Sequence, residues 1–319
     1  MSFSGNVKEE LSRQWNSARH CQIAELAAII MMSGEVIGRK TEKYAVRIAT
    51  ENLTVARKGF TLIKKTFNIK ADTFVRHNKL KKTTVYSVIV SGQTEAVRIL
   101  EAVKLHESEA DGRAVQSVRN VVIQKACCKR AFIRGLFLSA GSISDPNKSY
   151  HFEIVFQTKE MAAQAQNIIN SFQMEAKIVS RKKSFVVYLK EGAQIVDILN
   201  IMEAHVALME LENVRIVKEM RNHVNRTVNC ETANLNKTVS AAVKQKEDIL
   251  YIRDHMGFQK LSMSLRDAAI VRLEQPDATL KELGEALFPP VGKSGINHRL
   301  RKLSEIADKL RKIKEENND

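Results

Sequence analysis

Residues 23–32 form a nearly unbroken apolar run that ends in Ser33-Gly34, and residues 131–140 form a second that ends in Gly141, 107 positions after Gly34. The segments downstream of the two runs are also alike. Tyr44, Val46 and Ile48 alternate with Ala45, Arg47 and Ala49, and Phe152, Ile154 and Phe156 alternate with polar or mixed neighbours. A period of two predicts a strand with one buried face. Val55, Leu62, Ile63 and Phe67 then fall near helical spacing over 54–67, as Ala165, Ile168, Ile169 and Phe172 do over 161–172. Two β-branched runs come next, 83–90 and 184–189. Turns at Ser91-Gly92 and Glu191-Gly192 lead from them into helices over 95–105 and 195–204. Weaker strands are expected at 35–39 and 71–76. Each half therefore reads as helix, two strands, helix, two strands, helix, and the chain as an internal repeat.

Beyond Asn213 the pattern turns helical. Val214, Val217, Val224 and Val228 make one stripe, and Asn222, Asn225, Arg226 and Asn229 another. A second helix is expected over 238–253, with a break at Gly257. Three shorter helices come after it, over 265–273, 280–287 and 296–313. Ser264 with Asp267, and Thr279 with Glu282, supply an N-cap and an acid three positions on. Pro289-Pro290 closes the second helix, because proline cannot extend the hydrogen-bond ladder.

The last helix carries the chemistry. Ser294 is read as its cap, and Ile296, Leu300, Leu303, Ile306, Leu310 and Ile313 form one apolar stripe on a 3.6-residue period. Asn297, His298, Arg299 and Arg301 are types that reach base edges; Lys293, Lys302 and Lys309 suit phosphates. A short helix, a turn and a basic amphipathic helix is a helix-turn-helix layout, whose second helix enters the major groove. A terminal helical hairpin with a solvated basic face fits the same pattern. Gly292-Lys293-Ser294 is no phosphate loop, since Leu287 stands where that motif needs its first glycine.

Composition adds one unusual number. The 319 residues hold 51 Lys and Arg against 36 Asp and Glu, a formal +15. Such an excess favours a polyanionic partner. It is uneven: residues 1–211 carry +11, and 293–314 hold eight basic and two acidic side chains. No apolar run approaches the ~18 residues of a membrane span, and no secretory leader is evident. Cys21, Cys127, Cys128 and Cys230 offer neither a CxxC pair nor a disulfide framework, so no metal and no cofactor are expected.

The ends of the two apolar runs resemble a known family. Leu26-Ala27-Ala28-Ile29-Ile30-Met31-Met32-Ser33-Gly34 is similar to the LAGLIDADG helix of homing endonucleases, and Ile133-Arg134-Gly135-Leu136-Phe137-Leu138-Ser139-Ala140-Gly141 to its second copy. The resemblance implies two helices packed as the seam of a pseudo-twofold domain, with Ala27, Ala28, Gly135 and Ser139 small enough for close approach. Its sheets would form a saddle over DNA. The positions that hold catalytic carboxylates in those enzymes are Ser33 and Ala140 here, and neither can bind a hard divalent cation. Glu35 and Asp145 lie beyond the glycines.

Towards the C-terminus, Thr279–Glu285, Pro289–Leu303 and Arg221–Asn234 resemble the WhiA family, as do the opening Ser2-Phe3-Ser4 and Lys8–Leu11. The resemblance covers nearly the whole chain. It implies an α+β fold: a pseudo-twofold LAGLIDADG-like duplicated domain followed by an all-α helix-turn-helix domain. The expected divisions are a lead-in over 1–20, halves over 21–120 and 121–211, a helical linker over 212–258, and a DNA-binding domain over 259–319 with its motif at about 275–308. The implied protein is a non-enzymatic, sequence-specific regulator of transcription, cytoplasmic and nucleoid-associated. It would be connected with cell division, chromosome segregation and, in sporulating lineages, sporulation. Its partners would be double-stranded DNA and transcription or cell-division proteins, with no small-molecule substrate and no membrane insertion. Auxiliary contacts fall to Lys79, Lys81, Lys82, Arg181, Lys182 and Lys183, which precede equivalent late strands. Arg221, Asn222, Asn225, Arg226 and Asn229 either touch DNA or brace the linker. The alternatives are a docking scaffold of the division machinery and a divalent-metal-dependent DNA endonuclease.

Overall fold

A computed structural model describes residues 2–37, 45–78, 83–107 and 115–316, which form two compact units, Met1–Glu219 and Met220–Asp319. The first unit opens with α1 (Phe3–Arg13) and then repeats one plan twice. The first copy runs α2 (Arg19–Ser33), β1 (Gly34–Ile37), β2 (Ala45–Thr50), α3 (Leu53–Phe67), β3 (Asp72–Asn78), β4 (Thr83–Val90) and α4 (Gln93–Val103). A short hairpin, β5 (Leu105–Glu107) and β6 (Val115–Val118), leads to the second. That copy is α5 (Ala126–Ala140), β7 (Gly141–Ile143), β8 (Phe152–Phe156), α6 (Lys159–Asn170), β9 (Lys177–Arg181), β10 (Ser184–Leu189) and α7 (Gly192–Met202).

Each half builds an antiparallel four-stranded sheet, ordered β1-β2-β4-β3 and β7-β8-β10-β9. The registers match as well: Gly34 opposes Ile48, and Gly141 opposes Ile154. The alternating residues face the core as their period requires, with Val46, Ile48, Phe152, Ile154 and Phe156 all buried. Tyr44, at the start of the expected first strand, and residues 38–39 at the end of the weak one lie outside the described residues.

Three features depart from the sequence reading. The lead-in is a helix: Ser2 accepts a hydrogen bond from the Gly5 backbone at its N-cap, and Phe3, Val7 and Leu11 bury one face at a spacing of four. Its polar face reaches forward, and the Glu10 carboxylate accepts from the Val206 and Ala207 backbone N–H groups at 2.8 and 3.0 Å. Those donors are orphans at the start of α8 (His205–His255), so α1 caps a helix nearly 200 residues away. Second, α8 is one helix of 51 residues where two were expected, because nothing between positions 213 and 253 breaks a helix. Third, the β5–β6 hairpin gave too short an alternation to be seen.

The seam is the pair α2 and α5, the most extensive helix contact in the unit. At Gly135 the two backbones touch: a Cβ there would lie 2.6 Å from the Glu25 carbonyl oxygen and 2.8 Å from the Ala28 Cβ. Beside this point sits a buried ionic cluster that sequence reading missed. Glu25 is 3.2 Å from the Lys58 ammonium and 3.4 Å from the Arg134 guanidinium, all three wholly buried. Arg134 also donates to Glu203 at 2.6 Å and to the Met202 carbonyl, and Lys58 donates to the Gln14 carbonyl. Burial pushes the Glu25 carboxyl above and the Lys58 ammonium below their ordinary values, each opposed by the other's charge. Buried pairs rarely add net stability, but losing one partner strands the other charge.

Gly135→Ala is expected to lower the unfolding free energy of the first unit by about 1–3 kcal/mol in urea titration, through overpacking. Gly192→Ala is the matched control, since its nearest atoms lie at an ordinary 3.5 Å, and it should change stability by less than about 0.5 kcal/mol.

Candidate nucleic-acid interface

Ser33 and Ala140 are the last residues of α2 and α5, so the fold puts them at equivalent ends of the seam, both half-buried. A hydroxyl and a methyl make no site for a hard cation. The acids just past them are engaged elsewhere. Glu35 pairs with Arg47 across the β1–β2 register at 3.7 Å. Asp145 accepts from the Asn147 backbone and side chain, which holds its carboxyl below the usual range. The ends of the seam therefore lack the ligand chemistry of a divalent-metal site.

In the second unit, α9 (Met263–Glu274), α10 (Leu280–Glu285) and α11 (Lys293–Glu316) pack with the C-terminal end of α8. Their core is Ile249, Ile252, Ala268, Ala269, Leu283, Leu287, Ile296, Leu300, Leu303 and Ala307. The expected stripe of the last helix is buried through Leu303; Ile306 and Leu310 are half-buried and Ile313 is exposed. Thr279 and Glu282 form the reciprocal capping box that their spacing predicts, and the Thr279 N–H holds the Glu282 carboxyl below its ordinary value. Two other caps move. The α9 N-cap is Ser262, which puts Ser264 inside the first turn. Helix α11 starts at Lys293, one residue before its expected cap, because the Gly292 carbonyl already accepts from the Ile296 N–H.

The long turn between α10 and α11 has a mechanical explanation. The Val291 N–H donates to the Gly284 carbonyl at 3.0 Å, folding the end of the turn back onto α10. That approach needs glycine, since a Cβ at 284 would lie 2.3 Å from the Val291 carbonyl oxygen. Arg272, buried in α9, fixes the loop that leads into α10: it donates to Gln245 at 3.0 Å and to the Ala278 carbonyl at 2.7 Å. Arg311 anchors α11 to α8, 2.7 Å from the buried Asp248 and stacked over the Tyr251 ring. Sequence reading missed Gly284, Arg272 and Arg311, because each acts through a partner in another element.

With its apolar side occupied, α11 presents Lys293, Ser294, Asn297, His298, Arg301, Lys302 and Lys309 exposed. Successive residues turn by about 100°, so Ser294, His298, Arg301 and Lys302 share one side, opposite the buried face. Arg299 departs from the expectation: it is half-buried and lies roughly 160° round from Arg301, on the flank of the packed face. Phe288, in the turn before α11, is 96% exposed and was not singled out by pattern.

The auxiliary residues divide. Lys79, Lys81 and Lys82 lie outside the described residues. Arg181, Lys182 and Lys183 are exposed at the β9–β10 turn, where Lys182 takes φ 52°, and Arg181 pairs with Glu153 at 3.1 Å. Arg221, Asn222, Asn225, Arg226 and Asn229 are all exposed on α8, and none makes a side-chain hydrogen bond among the described residues. Spacing also concealed a cluster at the other end of the seam. His20, Cys21, Cys127 and Cys128 bring their ligating atoms within 4.8 Å of one another.

A duplicated LAGLIDADG-like α+β domain without the carboxylates of catalysis, followed by a helix-turn-helix, defines a class of DNA-binding protein. Residues 19–106 match the WhiA N-terminal LAGLIDADG-like domain, 129–221 the WhiA LAGLIDADG-like domain, and 224–307 the WhiA C-terminal HTH domain. The chain belongs to the WhiA family. It is 55% identical to the probable cell division protein WhiA of Lachnoclostridium phytofermentans over 98% of this chain and 100% of that one. It is 51% identical to the protein of the same name from Alkaliphilus oremlandii, over 99% and 100%. The full-length DUF199/WhiA crystal structure from Thermatoga maritima shares the fold, with a TM-score of 0.59 at 23% identity over 97% of this chain and 99% of that one. No helix of the described residues is long and apolar enough to cross a membrane.

Gly284→Ala is expected to displace the turn and to destabilise the second unit by about 1–3 kcal/mol in thermal or urea unfolding. Gly295→Ala has room, with Val291 at 3.4 Å, and should be neutral or stabilising through helix propensity.

Proposed function

We propose that the chain is a sequence-specific, non-enzymatic DNA-binding regulator of transcription that acts in cell division and chromosome segregation and, in lineages that sporulate, in sporulation. The observation that carries this reading is the two-sided character of α11. One side is consumed by the core of the second unit, and the other exposes Ser294, His298, Arg301 and Lys302, where Arg301 makes a surface pair with Glu305 at 3.5 Å. His298 and Arg301 read base edges from the major groove, with Asn297 beside them. Lys293, Lys302 and Lys309 grip phosphates and set the register of the helix on the duplex. The biological setting rests on the relatives, named as probable cell division proteins.

Arg181, Lys182 and Lys183 of the LAGLIDADG-like unit add non-specific attraction to the phosphate backbone. Their positions carry charge with no base-reading geometry, so they raise affinity for any duplex. Protein partners of transcription or division, and association with the nucleoid, belong to the same reading.

The test uses a duplex selected from a random library by the full-length chain, with affinity followed by fluorescence anisotropy. His298→Ala combined with Arg301→Ala should reduce the preference for that duplex over a scrambled one by at least about tenfold, since each specific base contact contributes about 1–3 kcal/mol. Lys302→Ala should weaken both duplexes alike and lower the slope of log affinity against log salt by about one. Arg299→Ala should leave the preference in place. Unchanged preference in the double variant would remove α11 as the reading helix. Protein-dependent cutting of supercoiled DNA with Mg²⁺ or Mn²⁺ would restore the nuclease alternative.

A further inference from the structure

The pseudo-twofold repeat carries a second pair of equivalent positions that the DNA-binding reading leaves unused. The offset that relates Gly34 to Gly141 also relates His20 to Cys127 and Cys21 to Cys128. His20 and Cys21 occupy the second and third places of α2, and Cys127 and Cys128 the same places of α5. Packing the two helices side by side therefore gathers four ligating side chains from dipeptides 107 residues apart.

The geometry is close to that of a filled coordination sphere. All four ligating atoms lie within 4.8 Å of one another, and the His20 Nδ1 is 3.2 Å from both the Cys21 and the Cys128 sulfur. Zinc bonded at about 2.3 Å to sulfur and about 2.0–2.1 Å to nitrogen, in a tetrahedron, separates its ligand atoms by roughly 3.5–3.8 Å. The four need to move by only about 1 Å or less to enclose it. Cys21 and Cys128 are buried, while His20 and Cys127 are exposed, which gives a shielded floor and an entry path. Arg19, Lys125 and Lys129 flank the dipeptides in sequence and offset the single negative charge that three thiolates leave on a dication.

We propose that His20, Cys21, Cys127 and Cys128 bind one zinc ion, which staples the two half-domains at the N-terminal end of the seam. Three sulfurs and an imidazole select a borderline-soft ion over Mg²⁺ or Ca²⁺. The site also lies about 20 Å along the helices from Ser33 and Ala140, so it is no remnant of nuclease chemistry. With all four positions taken by protein, it is a closed structural site with no place for a reacting water.

The experiment titrates the full chain, reduced and freed of metal by chelator under anaerobic conditions, with Zn²⁺ against a chromophoric indicator. In parallel, Co²⁺ is added to read thiolate-to-metal charge transfer and tetrahedral d–d absorption. One ion per chain is expected, with both cobalt signatures and a rise in Tm on zinc binding. His20→Ala and Cys127→Ser change exposed residues and spare the core. Each should weaken binding by more than about 100-fold, beyond what outer-shell changes do. Cys230→Ser, exposed in the other unit, should bind as the parent does. Absence of saturable binding would overturn the proposal. So would binding that survives in both His20→Ala and Cys127→Ser.

Discussion

Ala28 and Gly135 are equivalent positions of the two halves, and they meet each other where α2 crosses α5. A residue on such an axis packs against its own counterpart, so both cannot carry a side chain if the backbones are to touch. The chain resolves the conflict by reducing one partner to glycine, which leaves 2.8 Å between the Ala28 Cβ and the place a Cβ at 135 would take. The rest of the first unit depends on that contact. It sets the helices side by side and brings Glu25 within reach of Arg134. The cluster around Glu25 then links the first half to the second through charges that no solvent can satisfy.

Close packing at the centre also defines two ends with opposite chemistry. At the C-terminal end the helices finish in Ser33 and Ala140, where a nuclease would need carboxylates. At the N-terminal end they begin with soft ligands, two sulfurs from one helix and a sulfur and an imidazole from the other. In the second unit, Gly284 fixes the turn before α11, and Arg272 fixes the loop that leads into α10. The charge is uneven in the same sense, +11 over residues 1–211 and eight basic against two acidic side chains over 293–314.

Much of this was legible in sequence because periodicity reports burial. The alternation at Phe152, Ile154 and Phe156 and the stripe from Ile296 to Leu303 each appear where expected. The Thr279 capping box was legible for the same kind of reason, being local chemistry at fixed spacing. What escaped was non-local. The Glu10 cap of α8, the Lys58–Glu25–Arg134 cluster and the Arg272 brackets each join elements that are distant in the chain, and no window along the sequence contains both partners. Arg299 escaped for a subtler reason: basic residues next to each other on a helix point in different directions, and only the buried stripe decides which of them face outward. The cysteine cluster was within reach, since the 107-residue offset that revealed the repeat also aligns His20-Cys21 with Cys127-Cys128.

The central claim is a division of labour: the repeat positions the protein, and α11 reads sequence. Hydrogen–deuterium exchange of the full chain, on a library-selected duplex and on a scrambled duplex of equal length, tests it most directly. Protection specific to the selected duplex should be confined to residues 293–302 and the turn before them, while peptides spanning 177–189 respond equally to both duplexes. Selective protection in 177–189, with none in 293–302, would contradict it.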